Sequence, residues 1–239
     1  QARPRLFDRH IVLPELLYSQ VIEADERIGA HGDLVKALDE AAARRDLQRA
    51  YDDGSDMAAR EAMALASFYA GLAFTKAYVG YVHAFSHKLG GMYGVPHGLA
   101  NAITLPYVLD FIKDAPLARE RLAQLAVVIG AGTAGEPHDL LAQRFIERVR
   151  ELNRGVGIPD KVAALKPADV PTVARAAMVE AARDYPVPKN MSLGEAETLL
   201  RLTAIAFAIT SGEPEASTDD VDDLVAFLLA QQAVTDESS

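Results

Sequence analysis

Six histidines occur in 239 residues, and three of them, His83, His87 and His97, fall within one fifteen-residue stretch. His83 and His87 are four apart, so on a helix both rings leave the same face and can address one point. His97 follows a glycine-rich step and sits in Pro96-His97-Gly98, at the start of a further helix, where a short return brings it opposite the pair. Imidazole is a common ligand of iron, zinc and nickel, and a mononuclear site usually takes three or four such donors with an open position for substrate. The spacing equally suits a pair of core histidines hydrogen-bonded to their neighbours, with His97 as a capping or packing residue. An HxxxH helix also occurs in hydrolases and in carboxylate-bridged bundles, so spacing alone supports a candidate metal site and names no reaction.

The rest of the composition narrows the chemistry. There is no cysteine, which excludes disulfides, thiolate sites and cysteine nucleophiles and leaves His, Asp and Glu as metal ligands. Lys and Arg number 24 against 34 Asp and Glu, for a formal charge of −10. That balance repels phosphate backbones and sets nucleic acid partners aside. No apolar run approaches the roughly 20 residues of a membrane span, and the first 30 residues are charged throughout. A soluble, cytoplasmic protein with no membrane partner is the expectation. Hydrophobic residues make up 50%, enough for a substantial core. The chain begins at Gln1 without an initiator Met, as a processed or excerpted product would.

The elements that must position the histidines read as helices. Residues 1–32 show no sustained period and read as loop and linker. Leu34, Val35, Leu38, Ala42 and Leu47 follow a helical repeat from Asp33 to Arg49, which Asp52-Asp53-Gly54-Ser55 breaks. Ser55 or Asp56 is the next N-cap. Met57 to about Leu89 is Ala-rich, free of proline and apolar nearly all round, which predicts one long buried central helix carrying His83 and His87. A loop over Gly90-Gly91 and Gly94 to Gly98 follows, then a helix over Leu99–Ile112 bent by Pro106. Further helices are expected near 117–130, 137–153 and 168–183. Ser192 and Glu195 have the spacing of a capping box opening a helix to Ile209, and Ser217 with Asp220 repeats that signal before a helix near 219–232. No segment alternates as a strand would, so the fold class is all-α.

Read in full, Gly80-Tyr-Val-His83-Ala-Phe-Ser-His87-Lys-Leu-Gly90-Gly91-Met-Tyr-Gly-Val-Pro96-His97-Gly98-Leu-Ala-Asn101-Ala-Ile-Thr-Leu-Pro106 closely resembles the signature of iron-containing (group III) alcohol dehydrogenases. The resemblance continues upstream through Ala50 to Asp56 and Arg60 to Ala66, and downstream in Tyr185 to Met191. It implies a multi-helix bundle like that family's C-terminal, dehydroquinate synthase-like α domain, with 1–32 as linker and remnant of the interdomain crossover, 33–211 as the helical metal-binding domain and 212–239 as C-terminal helix and tail. It further implies a divalent metal, Fe2+ or Zn2+, with His83 and His97 as two of its ligands, and His87 as the catalytic residue assisting proton transfer. The reaction implied is hydride exchange between a small alcohol or aldehyde and NAD or NADP, with the metal polarising the substrate oxygen. A cytoplasmic homo-oligomer, such as a dimer, is the expected assembly.

Two parts of the family pattern have no counterpart in this sequence. The other two family ligands form Asp-x-x-x-His on an earlier helix, and no histidine here has an aspartate four residues before it. Asp25, His31 and Asp33 are the candidate substitutes. No glycine-rich strand-to-helix turn that would cradle a pyrophosphate precedes the helices, so NAD or NADP is expected through a domain not present in this chain. Arg5 to Asp8 and Leu13 to Leu16 resemble the family's interdomain crossover. His10 and His138 read as surface residues, Asp219 to Asp223 as an acidic helix start, and Tyr93 and Lys88 as flanking groups that line a substrate cleft or face solvent. Two alternatives to the dehydrogenase stand: a catalytically degenerate helical domain serving dimerisation or interaction, and a metal-independent reductase of the maleylacetate reductase type.

Overall fold

Eight α-helices and one 3-10 turn form the described part of the computed structural model, residues 43–204, and no strand occurs among the described residues. The helices are α1 (Ala43–Asp52), α2 (Met57–Ala77), α3 (Tyr81–Tyr93), α4 (His97–Ile112), α5 (Pro116–Val128), α6 (His138–Gly155), α7 (Val170–Asp184) and α8 (Leu193–Ala204). Expectations for His10, Asp25, His31, Asp33, the linker 1–32, the acidic run from Asp219 and the helix near 219–232 lie outside the described residues.

The centre of the fold is α4. Ala100 to Pro106, Val108, Leu109 and Ile112 are all buried, with α3 along one side and α6 and α8 along others. Phe85 and Leu89 of α3 and Phe145 and Ile146 of α6 are fully enclosed in the same core, each such side chain contributing about 1.5–3 kcal/mol. α5 pairs with α6, while α7 packs on α3 and α8.

Pro106 stands inside this buried helix. Lacking an N–H, it cannot donate to the carbonyl four residues back, Ala102. The buried Asn153 of α6 supplies that donor, its Nδ2 lying 2.7 Å from the Ala102 oxygen. A proline that would open a buried helix is thus accommodated by a side chain 51 residues away.

The predicted helix from Met57 to Leu89 is two helices. α2 ends at Tyr78, whose φ of 63° and ψ of −166° fall in a region that side chains other than glycine rarely adopt, and Gly80 opens α3. Nor is the described part of α2 the buried centre: Met57 is 69% and Leu65 46% exposed, and Ala59 and Ala66 provide its buried contacts. An apolar composition all round identified a helix without fixing its depth, and α4 occupies the central position. The glycine loop is also shorter than expected. α3 continues through Gly90 and Gly91, and the chain reverses only at Gly94, in the left-handed conformation, with its N–H on the Gly90 carbonyl.

Several local signals appear as read. Asp56 caps α2 by accepting from the Ala59 N–H at 3.0 Å. Ser192 and Glu195 exchange bonds, Glu195 Oε2 receiving the Ser192 N–H at 2.7 Å and Ser192 Oγ receiving the Glu195 N–H at 3.2 Å. His138 is exposed, at the first residue of α6.

Replacing Asn153 with Leu keeps the volume roughly constant but strands the Ala102 carbonyl, so urea denaturation should show a loss of about 1–3 kcal/mol; an unchanged midpoint would refute the repair. Tyr78→Gly distinguishes the broken helix from a continuous one by sign. At a break with positive φ the substitution raises stability by about 1 kcal/mol, whereas inside a continuous helix glycine would cost about 1 kcal/mol.

Candidate metal centre

The α3–α4 corner gathers the three clustered histidines. His83 lies on the buried face of α3 at 6% exposure, His87 one turn later at the exposed edge, and His97 is the first residue of α4. Because α4 reverses within three residues, the His97 ring centroid comes 5.2 Å from that of His83 and 5.3 Å from that of His87, while His83 and His87 are 5.7 Å apart. The His87 and His97 rings are nearly parallel, inclined by 19°.

The His97 and His87 rings are held by polar neighbours. Asn101, one turn along α4, places Nδ2 3.1 Å from His97 Nε2, and Ser86 Oγ lies 3.5 Å from His97 Nδ1. His87 Nδ1 is 2.6 Å from Glu180 Oε1 on α7. Tyr185 donates its hydroxyl to that same oxygen at 2.5 Å, and Lys88 pairs with the other, Oε2. Burial by itself would raise the Glu180 carboxyl, but the hydrogen bonds from Lys88, Tyr185 and His87 prevail and hold it at about 2. Glu180 is therefore an anion over the working pH range and can only accept.

Sequence reasoning missed Glu180 and the role of Asn101. Asn101 has the helical i+4 spacing from His97 that could have marked it, whereas Glu180 is 93 residues from His87 with no spacing signal linking them. Lys88, expected to line a cleft or face solvent, is tied to Glu180. Tyr93, the other expected cleft residue, instead donates to Asp169 at 2.8 Å, and burial together with that carboxylate pushes its hydroxyl up to about 12. It joins the end of α3 to the turn before α7.

The donor chemistry at the corner suits a borderline divalent cation, but the set is incomplete. Among the described residues no three His, Asp or Glu side chains are arranged to hold a metal ion. His97 Nε2 faces the Asn101 amide and His87 Nδ1 is engaged by Glu180. The described residues therefore do not fit a complete metal site. They place two imidazoles, His83 and His97, with ring centroids 5.2 Å apart and planes inclined by 55°, and a third, His87, stacked beside His97.

A model of the Fe-containing alcohol dehydrogenase family, C-terminal part, matches residues 33–204, which is 172 of the 239 residues. A second, the hydantoinase/oxoprolinase N-terminal region, matches residues 1–64, or 64 of 239. It overlaps the first over 33–64. The chain is 41% identical over 136 residues to 1,3-propanediol dehydrogenase of Citrobacter freundii, covering 56% of this chain and 35% of that protein. It is 39% identical over 137 residues to alcohol dehydrogenase 4 of Saccharomyces cerevisiae, covering 56% and 34%. A crystal structure of 1,3-propanediol oxidoreductase superposes with a TM-score of 0.73 at 30% identity, covering 80% of this chain and 49% of that one. The chain thus spans about a third of the length of the curated relatives it matches.

The depressed Glu180 carboxyl has a consequence for stability. Its folded value lies below the ordinary 4.5, so its contribution is fully present above about pH 4.5 and is lost as pH falls toward 2. Comparing urea midpoints of the wild type and Glu180→Gln, the wild-type advantage at pH 6 should shrink markedly at pH 3. A constant difference would remove Glu180 as a charged partner of Lys88 and His87.

Proposed function

Since the chain belongs to the iron-containing alcohol dehydrogenase family as its helical C-terminal part, we propose that it serves an oxidoreductase exchanging hydride between a small alcohol or aldehyde and NAD or NADP. The carrying observation is the α3–α4 corner, where the ring centroids of His83 and His97 lie 5.2 Å apart inside the matched range. The relatives support the substrate class, being named for 1,3-propanediol and for alcohol. In this reading His83 and His97 are the imidazoles that this chain contributes toward Fe2+ or Zn2+. The remaining donors and the nicotinamide site come from sequence outside the described residues. Assembly as a homo-oligomer, such as a dimer, and a cytoplasmic location belong to the same reading.

The chain's own part in the reaction is the handling of a proton. Oxidising an alcohol to a carbonyl releases one proton along with the hydride. In this reading His87 accepts that proton and passes it to solvent, which its exposed position 5.3 Å from the His97 ring supports. His83, almost fully buried, has no comparable path to water.

A second reading is favoured by one observation: no three-donor arrangement exists among the described residues. In it the domain keeps the fold but serves dimerisation or interaction. Metal content separates the two, since tight, stoichiometric iron or zinc counts against the interaction module.

In the protein as isolated from cells, replacing both His83 and His97 with Ala should abolish metal retention, read by elemental analysis. It should also lower NAD(P)-dependent alcohol oxidation by several orders of magnitude. Unchanged activity in the double variant would overturn the assignment.

A further inference from the structure

The cluster contains one interaction that neither histidine spacing nor the metal reading requires: the carboxylate of Glu180 against His87. Three donors converge on it. Tyr185 and His87 share Oε1, at 2.5 and 2.6 Å, and Lys88 takes Oε2. These donors come from two places, α3 for His87 and Lys88 and the residue just after α7 for Tyr185, so turning the carboxylate disturbs contacts to both. An ionised carboxylate has no proton to offer, so the nitrogen 2.6 Å away must be the donor.

We infer that Glu180 is a positioning residue that holds neutral His87 as the Nδ1–H tautomer and leaves Nε2, at the opposite edge of the ring, as its lone-pair nitrogen. In free imidazole side chains the other tautomer, Nε2–H, predominates, and its Nε2 could not accept a proton. This inference rests on the reading of His87 as the proton acceptor. In the step it serves, Nε2 takes the proton released by the substrate hydroxyl, the ring becomes an imidazolium with Nδ1–H still on Glu180, and the Nε2 proton then leaves to solvent. Glu180 acts in this step through its bond to His87 Nδ1. Orientation of an imidazole by an acceptor at its other nitrogen is a recurrent device where one ring nitrogen must be kept free.

The test is the tautomer itself, read from the 15N shifts and two-bond couplings of the His87 ring in the 15N-labelled chain, without substrate, nicotinamide or added metal. The wild type should show a protonated Nδ1 and an unprotonated Nε2. Glu180→Ala should return His87 to the Nε2–H form, while Glu180→Gln, whose amide oxygen can still accept, should retain a substantial Nδ1–H fraction. Unshifted backbone resonances for His83 and His97 in both variants would establish that the corner is intact. Nε2–H in the wild type, or an Nδ1–H population unaffected by Glu180→Ala, overturns the inference; so does loss of Nδ1–H in Glu180→Gln equal to that in Glu180→Ala. Because no turnover is measured, these outcomes are separate from any failure of alcohol oxidation or of metal retention by the protein.

Discussion

The reversal between α3 and α4 is the constraint on which the remainder turns. Gly94 takes a left-handed conformation, its N–H closes on the Gly90 carbonyl, and three residues later α4 starts back along α3. A residue with a Cβ would be strained at Gly94, where φ is +67°. The tightness of this corner brings the first residue of α4, His97, within 5.2 Å of the His83 ring. It also lays α4 against α3 so that Phe85 and Leu89 join the core around Ile103, Leu105 and Leu109. The chemistry and the core therefore share one piece of backbone geometry.

That arrangement requires α4 to be buried on nearly all sides, and burial makes its internal defect costly. Pro106 removes one helical donor where no water can replace it. Asn153 restores it from α6, which explains a buried amide in an otherwise apolar contact. On the other side, α7 packs on α3 and presents Glu180 to His87 and Lys88. Lys189 closes the outer edge, with Nζ 3.0 Å from Asp114 and over the Phe111 ring at 4.3 Å. Tyr81 accepts the Met191 N–H at 2.8 Å and ties the start of α3 to the approach of α8. The corner is thus held from α6, α7 and the segment before α8.

Membership of the iron-containing alcohol dehydrogenase family and the composition of the corner differ in what they carry. The family match spans 33–204 and includes His83 and His97, while the Asp-x-x-x-His pair has no counterpart in the 239 residues. A pair of imidazoles is too few donors for a mononuclear site of three or four protein ligands. The groups that this chain does bring together are those around His87, namely Glu180, Lys88 and Tyr185.

By itself the sequence determined the all-α class, a cap at Ser55 or Asp56 and another at Ser192–Glu195, and the grouping of His83, His87 and His97. Each of these depends on neighbours a few residues apart, where helical spacing or a short return leaves little freedom. Tertiary structure alone decided which helix is central. The apolar content of α2 and that of α4 look alike along the chain, and only packing by α3, α6 and α8 buries the second. It also decided that Tyr78 rather than Gly90 ends a helix, because a side chain in a disfavoured backbone region persists only where its surroundings impose it. The pairings Asn153 to Ala102 and Glu180 to His87 join residues 51 and 93 positions apart. No periodicity reaches that far, since such contacts are set by how helices cross and not by how any one of them is written.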